Sequence, residues 1–249
     1  MNKKPQAILP TWQVPNSIHA FTTLRTGGVS QAPFDSFNLG DHVGDSVDDV
    51  MENRRLLTAQ FGLPQPPLFL TQTHSTKVLR LPYSDESVEA DAVYTNQANQ
   101  VCLVMTADCL PVLFVSQNGQ EIAAAHAGWK GLCDGILENT VAEFACPTSE
   151  IQAWLGPAIG AKTFQVGQEV VDKFVAQNAE AINAFVPDEK QPGKYLGDIY
   201  LLAKQRLNKL GITSISGGDY CTVSEPEKFF SYRRENRTGR MATLIWRSE

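Results

Sequence analysis

Residues 101–131 read VCLVMTADCLPVLFVSQNGQEIAAAHAGWKG, and this stretch decides the fold class. It holds three short apolar runs of strand length, at residues 101–105, 111–115 and 122–125. Such runs, bounded by small or polar residues, are typical of buried β-strands. The stretch therefore predicts a strand-rich centre of the chain.

Helices are predicted on both sides of this centre. Ser46 is a good N-cap and Gly62 a good stop, and between them one face is apolar, at Val47, Val50, Leu57 and Phe61. A long helix is predicted after Gly131, and its inward residues are Leu132, Ile136, Val141 and Phe144. Two more helices are predicted at residues 168–177 and 199–210.

Further strands are predicted at residues 18–23, 68–71, 151–155 and 242–246. The strands come in groups rather than in strict alternation with helices, which favours the α+β class with a mixed sheet. We expect a β-sheet core flanked by helices. No linker or repeat interrupts the apolar runs, so one domain is predicted over residues 1–249.

The composition excludes several functional classes. The formal net charge of −6 offers no basic field for nucleic acid or an anionic membrane. The N-terminal residues lack an apolar signal segment, and the five cysteines form no disulfide pattern, so a cytoplasmic protein is predicted. We expect a monomer that acts on small molecules.

Three residues of types that bind metal ions each follow an apolar run of the sequence: His74, Cys109 and His126. If the three strands are neighbours in one sheet, their ends place these side chains together at one rim. Imidazole and thiolate suit zinc and also copper, and three protein ligands leave a fourth position open, as in catalytic sites. The alternative is that each residue is simply packed or solvated, because the spacings match no short metal motif.

Charged residues near these ligands are candidates for further roles. Asp108 is either a carboxylate that orients a ligand, a general base or a turn residue. Lys130 and Arg25 lie in glycine-containing turns that could meet an anion. Arg233 begins a cluster that is either an anion site or a salt-bridged surface loop, and its other members are Arg234, Arg237 and Arg240.

Eight motifs follow one another through residues 21–246: TTLRTGGVS, FNLGDHVGD, NRR, TQTHSTKV, TADCLPVL, AAHAGWKG, GPAIG and SYRRENRTGRMA. Together they resemble the YfiH-like family, also called the laccase-domain or multicopper polyphenol oxidase family. The resemblance implies a mixed α/β fold related to the catalytic domains of bacterial cytotoxic necrotizing factors. It also implies that His74, Cys109 and His126 are zinc ligands.

The resemblance further implies purine nucleoside chemistry. Family members are linked to phosphorolysis of adenosine, inosine, guanosine and methylthioadenosine and to adenosine deamination, whereas other members are named peptidoglycan editing factors. One departure is Lys130, where the family more often has Arg in HAGWRG, so the anion geometry there is not assumed to be the same. The chain has only four histidines, too few for a multicopper cluster, so polyphenol oxidation at one copper ion would be a side reaction.

The first hypothesis is therefore a zinc-dependent purine nucleoside phosphorylase with adenosine deaminase activity. In it Asp108 shuttles protons beside the three metal ligands, while cations such as Arg25, Lys130 and Arg233 steady the phosphate. Asn38, His42 and Gln72 are candidate substrate contacts.

Two other hypotheses stay open. In one, Cys109 is a thiolate nucleophile with a histidine base and hydrolyses an amide. In the other, a closed metal site with Cys221 or His42 as a fourth ligand makes the protein a non-enzymatic binding module.

Overall fold

The computed structural model describes residues 4–85 and 87–249. The strands in this part of the chain are β1 (Ala7–Ile8), β2 (Ile18–Thr23), β3 (Val78–Arg80), β4 (Ala92–Thr95), β5 (Val101–Thr106), β6 (Leu110–Ser116), β7 (Ile122–Ala127), β8 (Ile151–Leu155), β9 (Gln165–Gly167), β10 (Phe185–Pro187), β11 (Lys194–Gly197), β12 (Ser214–Gly217) and β13 (Met241–Arg247). The helices are α1 (Val47–Phe61), α2 (Trp129–Asp134), α3 (Ile136–Ala142), α4 (Gln168–Gln177), α5 (Ile199–Lys209) and α6 (Tyr232–Glu235). Two 3₁₀ turns lie at Thr148–Glu150 and Ala179–Ala184.

The strands form three sheets, which confirms the α+β class. One sheet has the order β1-β2-β13-β5, a second has the order β12-β8-β6-β7-β4-β3, and a small third has the order β10-β11-β9. Most pairs are antiparallel, while β12 with β8 and β3 with β4 are parallel. None of the helices in the described ranges is long and apolar enough to span a membrane.

The two larger sheets pack face to face, because alternate residues of a strand point to opposite sides. Leu113 of β6 packs with Val104 of β5 between the sheets, in one buried cluster. Phe114, its neighbour on β6, points the other way and packs with the helices that cover the second sheet. Leu103 of β5 faces outward toward Leu57 of α1. The layers are therefore α1, the first sheet, the second sheet and the remaining helices.

This arrangement corrects the expectation of a single sheet. Strand β5 belongs to the first sheet, and β6 and β7 belong to the second. The turn at Ala107–Asp108–Cys109 crosses from one sheet to the other. The ligand residues are therefore brought together at a junction of two sheets and not along one rim.

The predicted first helix is confirmed at both ends. The Ser46 side chain accepts a hydrogen bond from the Asp49 N–H, and Gly62 ends α1 in the left-handed conformation at φ 63°. Val47 was expected to face the core, but it is 68 % exposed. Asn53 is buried instead, and hydrogen bonds compensate for its burial. Its Oδ1 accepts the Val29 N–H, and its Nδ2 donates to backbone carbonyls of the preceding loop.

The long helix predicted after Gly131 is two helices. It begins earlier, at Trp129, and breaks at Gly135, where φ is 107° and a helix cannot continue. The four inward residues predicted for it are nevertheless all buried: Leu132, Ile136, Val141 and Phe144.

Two strand predictions change in ways that affect the site. Residues 68–71 form no strand, and within the part of the chain that the structure describes a single bridge, Thr71 to Glu89, pairs this segment. Strand β7 runs two residues beyond the predicted end at Ala125, so His126 lies inside the strand. The strands predicted at residues 18–23 and 151–155 are confirmed, as is the helix at residues 168–177.

Candidate metal centre

The side chains of His74, Cys109 and His126 meet in the folded chain. One ligand atom from each lies within 4.8 Å of the others, and Sγ of Cys109 is 3.7 Å from Nε2 of His74. The two imidazole rings meet edge to face, with centroids 4.9 Å apart. His74 lies in a loop, Cys109 in the turn that joins β5 to β6, and His126 near the end of β7.

A carboxylate that sequence reasoning missed holds two of these ligands. Asp91 is fully buried just before β4, and its Oδ1 lies 2.8 Å from Nδ1 of His126. The same carboxylate accepts backbone N–H groups from Thr73, His74 and Ser75 and the Ser75 hydroxyl. Because Nδ1 of His126 is engaged, Nε2 is the nitrogen left to face an ion.

The backbone is in the left-handed region at two points beside the ligands. His74 has φ 60° and Asp108 has φ 90°, which is uncommon for residues other than glycine. Asp91 fixes the first of these by accepting the His74 N–H. The second is fixed by the Asp108 carboxylate, which accepts the Thr222 hydroxyl at 2.6 Å and the Arg233 N–H at 2.6 Å.

Charge within the cluster favours the thiolate form of the cysteine. Burial opposes ionisation of Cys109, but the charge of His126 and hydrogen bonds from both histidines outweigh it and lower the pKa of the thiol to about 6. Burial likewise opposes ionisation of Asp91, and its hydrogen bonds with His126 and Ser75 lower the carboxyl pKa to about 2. The pKa of His126 is raised, since the negative groups outweigh its burial.

The donors fit a metal ion. Two imidazole nitrogens and one thiolate are ligands for zinc and copper, and a tetrahedral zinc site sets S and N ligands roughly 3.6 Å apart. Gly128 leaves room for them: a Cβ at this position would lie 2.5 Å from Cδ2 of His74 and 3.1 Å from Sγ of Cys109. In the described ranges the cluster has three members. Cys221 lies elsewhere, where its sulfur accepts the Gly160 N–H and is hydrogen-bonded to the Thr163 hydroxyl.

Two cavities of about 280 Å³ adjoin the cluster, and both are lined by His74, Ala107, Cys109 and Tyr232. We call them the polar cavity and the aromatic cavity. The other residues that line the polar cavity are His42, Gln72, Met105, Thr106, His126 and Arg240. The other residues that line the aromatic cavity are Asp108, Trp129, Ile159, Phe164, Ile199 and Arg233.

Three residues predicted as substrate contacts line these cavities. His42 and Gln72 line the polar cavity, and Arg233 lines the aromatic one. The amide of Gln72 is also paired with the backbone of Met105, at 2.8 Å and 2.7 Å, and so ties the loop that carries His74 to strand β5.

The other three predicted contacts lie outside both cavities. Asn38 is fully buried. Its Nδ2 donates to the Gly40 carbonyl and the Asp45 carboxylate, and its Oδ1 accepts the N–H groups of Gly40 and Arg240. Nη1 of Arg25 is bonded to Glu235 at 2.9 Å and to a backbone carbonyl. Lys130 is exposed, with its Nζ 5.8 Å from the Trp129 ring.

Besides Asp91 and Gly128, sequence reasoning missed Thr106 and Tyr232 as residues around the site, and it named Arg240 only as one member of the arginine cluster. Tyr232 and Arg240 both lie within the motif SYRRENRTGRMA, so the motif was found but its site-facing members were not separated. Asp91 gave a weak signal as the one carboxylate at the start of the apolar run ADAVYT.

The chain is similar to known proteins over nearly its whole length. A family model described as multi-copper polyphenol oxidoreductase laccase matches residues 19–248. A Haemophilus influenzae protein named purine nucleoside phosphorylase is 64% identical over 97% of this chain and 99% of its own. The Escherichia coli protein named purine nucleoside phosphorylase YfiH is 53% identical over 96% of this chain and 98% of its own. The crystal structure of the Neisseria meningitidis protein NMB0706 is 44% identical, has a TM-score of 0.92, and is matched over 98% of this chain and 99% of that one.

Proposed function

The chain belongs to the laccase-domain family, which includes the YfiH proteins, and from this premise we propose that it is a zinc-dependent purine nucleoside phosphorylase. The proposed substrates are adenosine, inosine, guanosine and methylthioadenosine, each with phosphate, and adenosine deamination is proposed as a second activity. The names of the relatives support an enzyme that acts on purine nucleosides.

One observation carries the proposal: the cluster of His74, Cys109 and His126 lies between two cavities and has no fourth protein ligand among the described residues. Three ligands with an open side are typical of a catalytic metal site. A bound divalent ion would supply Lewis-acid chemistry at this position. Asp91 orients His126 for it, and Gly128 keeps the space clear.

The aromatic cavity suits the purine base. Trp129, Phe164 and Tyr232 line it and offer ring faces and edges to a flat heterocycle. In phosphorolysis a phosphate oxygen forms a bond to C1′ of the ribose while the bond from C1′ to the purine nitrogen breaks. In deamination water adds at C6 of the base and ammonia leaves. Each reaction needs its reacting carbon, C1′ or C6, beside Cys109, which borders both cavities, so the nucleoside must bind in a different orientation for each reaction.

We propose a positioning role for Asp108 in addition to the proton transfer suggested by its sequence position. Each of its carboxylate oxygens accepts a hydrogen bond, one from the Thr222 hydroxyl and one from the Arg233 N–H, and these bonds fix the side chain beside the turn. By holding the turn at φ 90°, Asp108 sets the direction of the Cys109 side chain.

A second candidate function has a specific observation in its favour. Asp91, His126 and Cys109 form a chain of carboxylate, imidazole and thiol like that of cysteine hydrolases, and the pKa of Cys109 is lowered to about 6. A metal-free protein could use this thiolate to attack an amide, such as one in a cell-wall precursor. Polyphenol oxidation by one copper ion in place of zinc has no comparable support.

Turnover with and without a chelator separates these functions. Purified protein is given adenosine or inosine with phosphate, the products are separated by chromatography, and metal content is measured in parallel. We expect base release that is lost with the metal and with Cys109→Ala, while the circular dichroism spectrum stays native. Cys146→Ala is the matched control, because Cys146 lies outside the cluster. A metal-loaded protein without nucleoside turnover would refute the proposal, and a metal-free protein that cleaves amides would support the hydrolase.

A further inference from the structure

The guanidinium of Arg240 lines the polar cavity and makes no salt bridge in the described ranges, although Asp108 and Cys109 are near enough to act on its charge. Its Nη1 donates to the carbonyls of Thr238 and Gly239, at 3.1 Å and 3.0 Å. Nε and Nη2 bond no group in the part of the chain that the structure describes. These two atoms form one edge of the fork that binds phosphate and carboxylate oxygens in pairs.

The loop of the FNLGDHVGD motif holds Arg240 in place. Asn38 Oδ1 accepts the Arg240 N–H at 2.9 Å, and the Leu39 N–H donates to the Arg240 carbonyl at 3.2 Å. A Cβ at Gly40 would lie 2.8 Å from Cγ of Arg240, so the loop packs directly on the stem of the side chain. The charge is therefore held at a fixed position, which lowers the entropy lost when an anion binds.

A second polar group of the same cavity also lacks a partner. Thr106 is 1 % exposed, and its hydroxyl makes no hydrogen bond within the described residues. Burial of a hydroxyl without a partner is costly and rare in folded proteins. Thr106 ends β5 next to the turn that carries Cys109, and it lines the polar cavity with Arg240.

The other cations considered for anion binding are less suited to this role. Arg25 already pairs with Glu235, and Lys130 lies outside both cavities. Arg233 lines the aromatic cavity, where its Nη1 is engaged by the carbonyls of Thr163 and Gln165. Arg240 is the cation that faces the cluster from the polar side.

We propose that Arg240 and Thr106 form the phosphate subsite of the enzyme, with the base in the aromatic cavity on the other side of Cys109. This inference rests on the proposed function. It assigns the ligand of the polar cavity as a phosphate oxyanion held by the free edge of the guanidinium and by the threonine hydroxyl. Asn38 and Gly40 are then positioning residues that act through Arg240.

Kinetics with two substrates test the assignment. Arg240→Met is expected to raise the KM for phosphate by roughly 10- to 100-fold, the usual effect of losing charge-assisted hydrogen bonds. The KM for the nucleoside should change by no more than about 2-fold, and Arg240→Lys should recover part of the loss. Arg233→Met is the matched variant in the other cavity, and Arg55→Met, on the exposed face of α1, is the neutral control.

Thr106→Val keeps the test valid if Arg240→Met does not fold. Valine matches the shape of threonine and removes an unpartnered hydroxyl, so the Tm of this variant should stay equal or rise. Its KM for phosphate should nevertheless increase by roughly 3- to 10-fold. A merely structural role for Thr106 would leave the phosphate KM unchanged.

Direct binding separates failure of this inference from failure of the proposed function. Inorganic phosphate is titrated against the metal-loaded protein, and the rise in Tm is recorded for the wild type and the variants. Wild-type turnover with an unchanged phosphate KM in Arg240→Met would overturn the subsite alone, as would a loss confined to Arg233→Met. A wild type with no phosphate-dependent turnover would refute the phosphorylase, and an equal Tm rise in wild type and Arg240→Met would refute the anion site itself.

Discussion

An oxygen of the Asp91 carboxylate lies 2.8 Å from Nδ1 of His126, and the same carboxylate accepts the backbone N–H of His74. One buried side chain thus orients a ligand imidazole in β7 and fixes the loop that carries a second ligand. Removing the hydrogen-bond partner of a metal ligand usually lowers metal affinity by about 10- to 100-fold. Asp91 is therefore as much a part of the centre as the three ligands.

Replacing Asp91 by asparagine should weaken the centre. Asp91→Asn removes the negative charge and presents an NH₂ group to donors that need an acceptor, so we expect zinc affinity to fall by roughly 10- to 100-fold. The measurement is competition with a chromophoric chelator. Glu89→Gln is the control, since Glu89 is exposed on the same segment. Unchanged affinity in Asp91→Asn would contradict the assigned role.

Adding one methyl group at Gly128 should block the centre without unfolding the chain. Its φ of −62° is open to alanine, so the backbone tolerates Gly128→Ala. The new Cβ would press on the His74 ring and on Sγ of Cys109. We expect metal content and nucleoside turnover to fall at least about 10-fold, because ligands displaced by a few tenths of an ångström lose their geometry. Native circular dichroism with full metal content would show that the close approach does not matter.

The thiol of Cys109 should be reactive in metal-free protein at neutral pH. Its pKa is lowered to about 6, whereas burial and the charge of Glu121 raise the pKa of Cys146 to about 11. Iodoacetamide should therefore label Cys109 much faster than Cys146 at pH 7, at a rate that rises with pH and levels off above about pH 7. Peptide mass spectrometry identifies the labelled site. Zinc should protect Cys109, and equal labelling with and without zinc would argue against ligation.

Glu121 should make stability depend on pH at the acid end. Burial raises its pKa, but hydrogen bonds from the Tyr94 hydroxyl and the N–H groups of Ala145 and Cys146 outweigh burial and lower it. A lowered folded-state pKa stabilises the fold above the ordinary carboxyl value, and this stabilisation is lost as pH falls through the folded pKa.

Glu121→Gln should accordingly lower the free energy of unfolding by about 1–3 kcal/mol at pH 7. The difference from wild type should shrink below about pH 4. Urea unfolding at pH 7 and pH 3.5 measures both values, with exposed Glu150→Gln as the control. A constant difference across this range would mean that the ionised carboxylate contributes nothing.

Local signals made much of the fold predictable. The cap at Ser46 and the stop at Gly62 are side-chain and backbone effects within a few residues, and α1 has the predicted bounds. The break at Gly135 was missed because a glycine inside an apolar helical pattern is compatible with either a continuous or a divided helix. The short strands β9, β10 and β11 have three or four residues each, which is too few for a periodic pattern.

The candidate site was predictable at its ligands and not around them. His74, Cys109 and His126 stand out by residue type, and the structure brings them together. The placement of Arg240 in the polar cavity depends on Asn38, which is 202 residues away along the chain. No local pattern selects one arginine among several neighbours when a distant loop determines which of them faces the site.

The turn between β5 and β6 has a mechanical consequence. It carries Cys109 across the gap between two sheets, while Gln72 ties the His74 loop to the first sheet and Asp91 ties it to the second. The distances among the three ligand side chains therefore depend on how the two sheets are aligned. A core substitution between the sheets, such as Leu113→Ala, should speed release of the ion at temperatures where the secondary structure is still intact.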